Sequence, residues 1–280
     1  MARLGKNRYG KSRVRLSRIT RFADRHAFNE WTVCVLLHGD FEASFTDADN
    51  SCILPTDTMK NTVYSIARNS NAATVEDFAT ELGDYLLTNN SQVSRVSISI
   101  EEKAWERVIV DGEPDATTFK LGGPELQTAH AERIRDNEWM VTSGIDGLTI
   151  LKTTKSAFTG YIKDRLTTLK PATDRIFGTR ATARWEFGPA KANYADVRRR
   201  VTAALLKVFA EHDSMSVQHT LFAMGRAALD SSPEIARIHL TMPNLHHLLA
   251  DLSPFGQDNP NHIFLPIDEP HGYIEATIER

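Results

Sequence analysis

The chain's 280 residues suffice for one large domain or two of about 140 each, and 41% apolar with 25% charged residues exclude a disordered or fibrous protein. Its 33 Lys and Arg against 36 Asp and Glu leave no general attraction to nucleic acid or to anionic membranes. No apolar run approaches the roughly 20 residues that span a bilayer, and the basic start MARLGKNRYGKSRVRLSR lacks a signal peptide's apolar core, so an intracellular protein is expected.

In the N-terminal half, Val14 and Leu16 alternate with Arg13 and Arg15, which predicts a half-buried strand over 12–21 with solvated arginines rather than a nucleic-acid arm. A second strand is expected over 30–45, around the run VCVLL and the punctuation His38, Gly39 and Asp40. Two helices follow. One starts at PTDTMKNT with Thr56 or Asp57 as its cap; the other starts at Thr74, boxed with Asp77, and lines up Phe78, Leu82 and Tyr85 or Leu86 on one face. Strands return where Val96, Ile98 and Ile100 alternate with Arg95, Ser97 and Ser99, and WERVIVDG turns at Asp111-Gly112 into a weaker pattern ending near residue 135.

The C-terminal half repeats that order. Strands are predicted over 138–153 and 179–187, the latter alternating as Ala181, Ala183, Trp185 and Phe187. Val197, Val201, Leu205 and Val208 make one helical stripe, and Val217, Leu221 and Met224 a second. Ala236, Ile238, Leu240 and Met242 alternate up to Pro243, and a last strand over 262–278 follows the loop SPFGQDNPN. The fold class expected is α+β: two tandem domains, 1–135 and 136–280, each an antiparallel sheet covered on one face by two helices. The uncovered faces and sheet edges call for barrel closure or self-association.

Familiar chemical signatures are missing: there is no Gly-rich phosphate loop, no GxSxG elbow, no HExxH and no dinucleotide fingerprint. Cys34 and Cys52 lack the paired spacing of a zinc ribbon or redox couple and are expected to be reduced. His239, His246, His247, His262 and His271 sit among apolar strand positions without convergent spacing, so no metal is expected. Four segment ends draw notice instead: YGK at 9–11, PTD at 55–57, SVQ at 216–218 and PNLH at 243–246. Singly, each has a plain structural explanation, such as a solvated Lys11, a first-turn Gln218 or a turn-forming Asn244.

Together, YGKSRVRL, LPTDTMKNTVY, SRVSISIEEKAWERV, LTILKTTKSAFTGY followed by Arg175, SVQHTLF and MPNLHH resemble, in order, the landmarks of the urate oxidase (uricase) family over nearly the whole chain. Departures are Leu166, where the family commonly has an aromatic, Lys103 in EEKAWERV, and the less regular stretch DATTFKLGGPELQTAHAE over 115–132. The resemblance implies tandem tunnelling-fold (T-fold) domains, with subunits pairing into a barrel and barrels stacking as a homotetramer whose active sites lie at subunit interfaces. It implies oxidation of urate by O2 and water to 5-hydroxyisourate and hydrogen peroxide, with no cofactor, no metal, no nucleic acid and no membrane. Because the chain ends in IER and not in a Ser-Lys-Leu address, a cytoplasmic setting is expected.

By the same resemblance, Phe158 stacks on the purine, Arg175 and Gln218 clamp one edge, and the Val217 backbone adds a contact. Thr56 and Asp57 come from the neighbouring subunit and meet the opposite edge with backbone groups, while Asn244, with Thr56, positions O2 or water. Lys11, Thr56 and His246 form the proton relay; a lysine needs burial or a neighbouring cation before it accepts a proton well near neutral pH. The rival readings are another T-fold enzyme acting on a pterin or purine, such as a zinc-dependent cyclohydrolase or an aldolase, and a non-catalytic purine-binding homologue.

Overall fold

Apolar residues two apart along β1 (Tyr9–Arg21), β2 (His26–Gly39) and β3 (Val93–Val110) turn one face of an antiparallel sheet into the wall of a core. The computed structural model describes residues 2–189 and 192–280, and the chain divides into two units, Met1–Gly144 and Ile145–Arg280. In the first, the sheet runs β1-β2-β3-β4, with β4 spanning Glu113–Ile134. Register puts Val33 opposite Ile100 and Val35 opposite Ile98, which in turn faces Ala131. On this stripe lie α2 (Thr56–Asn69), through Met59, Val63 and Ala67, and α3 (Val75–Asn89), through Phe78, Leu82 and Leu86. Trp31 stacks on Phe78 with ring centroids 4.8 Å apart. Each such side chain contributes about 1.5–3 kcal/mol on leaving water.

The second unit is assembled in the same way. β5 (Met140–Lys152) begins in the first unit and ends in the second, where its neighbour is β6 (Phe177–Phe187). The sheet continues through β7 (Ile235–Thr241) to β10 (Glu275–Glu279), while β8 (Asn244–Leu249) pairs with the start of β6 and with β9 (Phe264–Gly272). Two helices, α4 (Tyr194–Glu211) and α5 (Val217–Ser231), cover it with Val197, Val201, Leu205, Leu221 and Met224 over a fully buried Trp185. No helix among the described residues is long and apolar enough to cross a membrane.

Several expected elements are corrected. β2 stops at Gly39, where a Cβ would stand 2.1 Å from the Gln92 carbonyl, and a short helix α1 (Glu42–Thr46) replaces the rest of the strand expected to residue 45. Leu86, not Tyr85, completes the buried face of α3, since Tyr85 is 44% exposed. The single last strand over 262–278 is two, β9 and β10, because the chain leaves β9 at Gly272 and Ile274 accepts a hydrogen bond from the Met242 N–H before pairing with β7 begins. PNLH does not terminate a strand: β7 ends at Thr241, and Asn244 opens β8 just after Pro243, which has no N–H to give.

The helix starts also sort themselves. Thr74, Asn193 and Ser216 each accept a backbone N–H three residues on, from Asp77, Asp196 and His219, and so cap α3, α4 and α5. In α2 neither Thr56 nor Asp57 is the cap. Pro55 occupies that position, leaving no side-chain oxygen for the first turn. Thr74→Ala should therefore lower the unfolding free energy by about 1 kcal/mol, whereas Thr56→Ala should change it by less than about 0.5 kcal/mol, as read by urea denaturation.

Candidate active site

In the first unit the expected residues gather where β1 meets the start of α2. Lys11 lies opposite Val35 but Val14 lies opposite Val33, so residues 12 and 13 share one partner position and form a β-bulge, with Arg13 at φ 57°. Strict alternation would place Lys11 and Val14 on opposite faces. The extra residue instead puts both on the helix-covered face, with Lys11 half-buried. Gly10 permits this approach, since a Cβ there would sit 1.9 Å from the Val35 carbonyl oxygen.

The charge of Lys11 reaches Asp57, though the Asp57 carboxyl is held below its usual range chiefly by Lys60. Lys60 Nζ is 2.5 Å from Oδ1, and the Asn61 amide donates to Oδ2 at 3.2 Å. The Asp57 side chain is thus engaged within its own helix. What α2 presents outward is the positive end of an uncapped helix, with the first-turn N–H groups of Thr56 and Asp57.

In the second unit, Phe158 and Arg175 lie at opposite ends of the polar connection between β5 and β6. Phe158 and Ala172 exchange both backbone hydrogen bonds, 2.8 and 3.1 Å, which folds the connection back on itself. Asp174 then ties the two arms together: Oδ2 accepts the Thr154 hydroxyl at 2.7 Å, and Oδ1 accepts the N–H groups of Ser156 and Arg175 at 3.3 and 3.1 Å. The result brings the Arg175 guanidinium 5.4 Å from the Phe158 ring centroid. Burial alone pushes the Arg175 pKa down, and its Nε is buried without a hydrogen-bond partner among the described residues. A guanidinium stays protonated regardless, so this is a cation with unspent donor capacity beside an aromatic face.

Two further segments converge on that pair. The Ala157 N–H donates to the Ser214 carbonyl at 2.7 Å and the Ser214 N–H to Lys155 at 2.9 Å, which ties the Phe158 arm to the segment that opens α5 with buried Val217 and exposed Gln218. Asn244 and His246, two apart on β8, bring Nδ2 and Nδ1 within 3.5 Å of each other. His246 is held below the ordinary histidine value by burial first, then by the positive charges of Arg175 and His271. Thr179, opposite Asn244 in the β6–β8 pairing, is fully buried with its hydroxyl unpartnered among the described residues. Of the histidines grouped in the sequence, His239 instead engages Thr277 at 3.0 Å; among the described residues no group of three or more His, Cys, Asp or Glu is arranged to hold a metal.

The family model that matches this chain is Uricase, over residues 7–132 and 141–275. The chain belongs to the uricase family. A uricase of Arthrobacter globiformis is 42% identical over 99% of this chain and 90% of its own length, and one of Dictyostelium discoideum is 36% identical over 100% and 98%. The crystal structure of the Arthrobacter globiformis uricase superposes with a TM-score of 0.93, covering 100% of this chain and 96% of that one. The two units described above are the T-fold architecture of this family, sheet-rich and antiparallel with paired helices.

Sequence reasoning passed over Asp174 and Tyr161. Tyr161 stacks on Phe158 at 5.0 Å and 10°, and its hydroxyl donates to the Leu169 carbonyl at 2.6 Å, fixing the ring plane from within the same loop. The one signal for Asp174 was its place beside Arg175, an acid before a base in a polar run. Asp174→Ala should leave the far-ultraviolet circular dichroism unchanged yet raise the KM for a planar substrate about tenfold, since the two arms that carry Phe158 and Arg175 lose their common acceptor.

Proposed function

We propose that this chain is a urate oxidase, converting urate, O2 and water to 5-hydroxyisourate and hydrogen peroxide without a cofactor. The observation that carries the reading is the Phe158–Arg175 pair, a flat apolar surface beside a desolvated cation whose Nε lacks a partner, in a chain of the uricase family. Urate is a flat purine anion with donors and acceptors around its rim. Phe158 would take its face, and Arg175 with Gln218 would grip one edge in the planar two-point geometry that suits a guanidinium. The Val217 backbone supports that edge. Thr56 and Asp57 N–H groups, at an uncapped helix start, suit the anionic opposite edge.

The reaction balances without an external redox group. Urate gives up two electrons to O2, water adds a hydroxyl to the ring, and O2 leaves as hydrogen peroxide with two protons. The protein's part is to deprotonate urate, making it electron-rich, and to hold O2 and then water over the ring. We assign the proton transfer to Lys11, Thr56 and His246, and the positioning of O2 and water to Asn244 with Thr56. The reading includes self-association into a homotetramer with shared sites, with Thr56 and Asp57 supplied by a neighbouring subunit. β1 and β10 support it, because each ends its sheet within its unit and leaves a row of backbone groups unpaired. A cytoplasmic setting accompanies it, in keeping with two free cysteines, Cys34 and Cys52.

Metal-stripped protein mixed with urate in air should lose the urate absorbance band and release peroxide at equal molar rates. Binding of urate without either change would favour a non-catalytic purine-binding protein. Lys11→Met should bind urate nearly as well and turn over about 100-fold or more slowly; unchanged turnover would remove Lys11 from the relay.

The acid limb of activity should follow His246. Its folded pKa is depressed, so the unfolded chain takes up the proton first, and as pH falls below about 6.5 the folded state loses stability relative to it. Neutral His246 thus persists below the usual histidine range. Turnover should decline through an apparent pKa below about 6.5, and His246→Gln should flatten that limb. The same limb in the variant would place its origin in another group.

A further inference from the structure

Lys152, the last residue of β5, does not join the groups assigned above, yet it occupies an unusual place. Its ammonium lies 5.9 Å from the Phe177 ring centroid and 5.5 Å from that of Phe209, the two rings being themselves in contact at 5.1 Å. Its Nζ donates to the His212 carbonyl at 2.6 Å. His212 is the C-cap of α4, a helix with no basic residue in its own last turn. A cation from a neighbouring strand therefore meets the negative end of α4 and holds the residue where the helix stops.

That residue begins the segment on which the site depends. Two residues on, Ser214 exchanges backbone hydrogen bonds with Lys155 and Ala157, and its hydroxyl donates to the Ser216 carbonyl at 3.0 Å. Ser216 then caps α5 and presents Val217 and Gln218. His212 Nδ1 also lies 3.1 Å from the Thr220 hydroxyl, one turn into α5. Lys152 is thus joined to both sides of the clamp: by three residues of chain to Lys155 and the Phe158 arm, and through the α4 terminus to Gln218.

We propose that Lys152 is a positioning residue for urate, its ammonium fixing the end of α4 so that the Phe158 face and the Gln218 edge keep their separation. The proposal rests on the assignment of Phe158 and Gln218 to the substrate. The cation is needed for its directed bond more than for filling space, because an unbranched apolar side chain could rest against the same two phenyl rings. Desolvation lowers the Lys152 pKa, in keeping with a half-buried ammonium lying against two rings.

The test is urate affinity in the absence of O2, where no turnover occurs, together with steady-state kinetics in air and thermal melting. Lys152→Met removes the donor and charge while keeping an unbranched apolar stem; Lys152→Gln, like Met one atom shorter than lysine, keeps a polar end that falls short of His212. Either variant, folded with an unchanged melting temperature, should bind urate about tenfold more weakly, with kcat within about twofold of the parent protein. Lys152→Arg, which keeps a cationic donor, should restore affinity to within about threefold.

Unchanged affinity in a folded Met or Gln variant overturns the role of Lys152 while leaving the urate site intact. Equal loss of kcat, affinity and melting temperature in all three variants also overturns it, as that is what a purely structural lysine would give. Parent protein that neither binds nor oxidises urate overturns the proposed function, and the role of Lys152 falls with it.

Discussion

A guanidinium drawn out of water keeps its charge, so the cost of burying Arg175 has to be met by partners. Some arginines of this chain meet that demand in full within the protein, whereas Arg18 and Arg95, like Arg175, leave a buried Nε unmatched among the described residues. Arg135 donates to the carbonyls of Leu87, Asn90 and Val93, and Arg200 to Asp196 and Glu234. Arg175 has the Phe158 ring, a backbone tether to Asp174 and the nearby His246, and its Nε stays unmatched among the described residues. An acceptor from outside, flat enough to share the ring, would complete it. The rest of the second unit's site can be understood as the framework that keeps this incomplete pair in place: the Phe158–Ala172 exchange, the Asp174 knot and the tie to Ser214.

The two units share an architecture but divide the duties. In the second unit both helices begin under a side-chain oxygen, from Asn193 and Ser216, while in the first only α3 does. The start of α2, under Pro55, remains electropositive and unblocked beside a half-buried lysine. One unit therefore has an uncapped helix terminus beside a half-buried lysine, the other an aromatic ring beside a buried cation and the Asn244–His246 pair.

Much of this could be read from the sequence, for identifiable reasons. Sheet and helix faces obey short periods, so Val96, Ile98 and Ile100 or Val197, Val201 and Leu205 declared their burial directly. The box at Thr74 was legible because its partner is three residues away. The bulge at residues 12–13 was not, because it is defined by a mismatch against β2, nor was the start of β8 at Asn244, directly after the strand end that Pro243 marks. Phe158, Arg175, Gln218 and Asn244 acquired roles only through resemblance. What ties the Phe158 arm to the start of α5 is long-range, as in the bond from Ala157 to Ser214, and no local pattern encodes it.

The uncapped start of α2 and the unmatched Nε of Arg175 each carry a local stability cost. Leaving a helix start without a side-chain cap forgoes about 0.5–2 kcal/mol, and an unmatched buried donor on a cation is of comparable order, about 1–3 kcal/mol. Neither is forced by the fold, since α3, α4 and α5 show that this chain can cap its helices and Arg135 shows that it can saturate a guanidinium. An uncapped helix start and an unmatched guanidinium donor beside an aromatic ring are each features that an anionic ligand would relieve. A ligand that relieved either deficit would leave the empty protein less stable than its complex, by a margin that rises with ligand concentration.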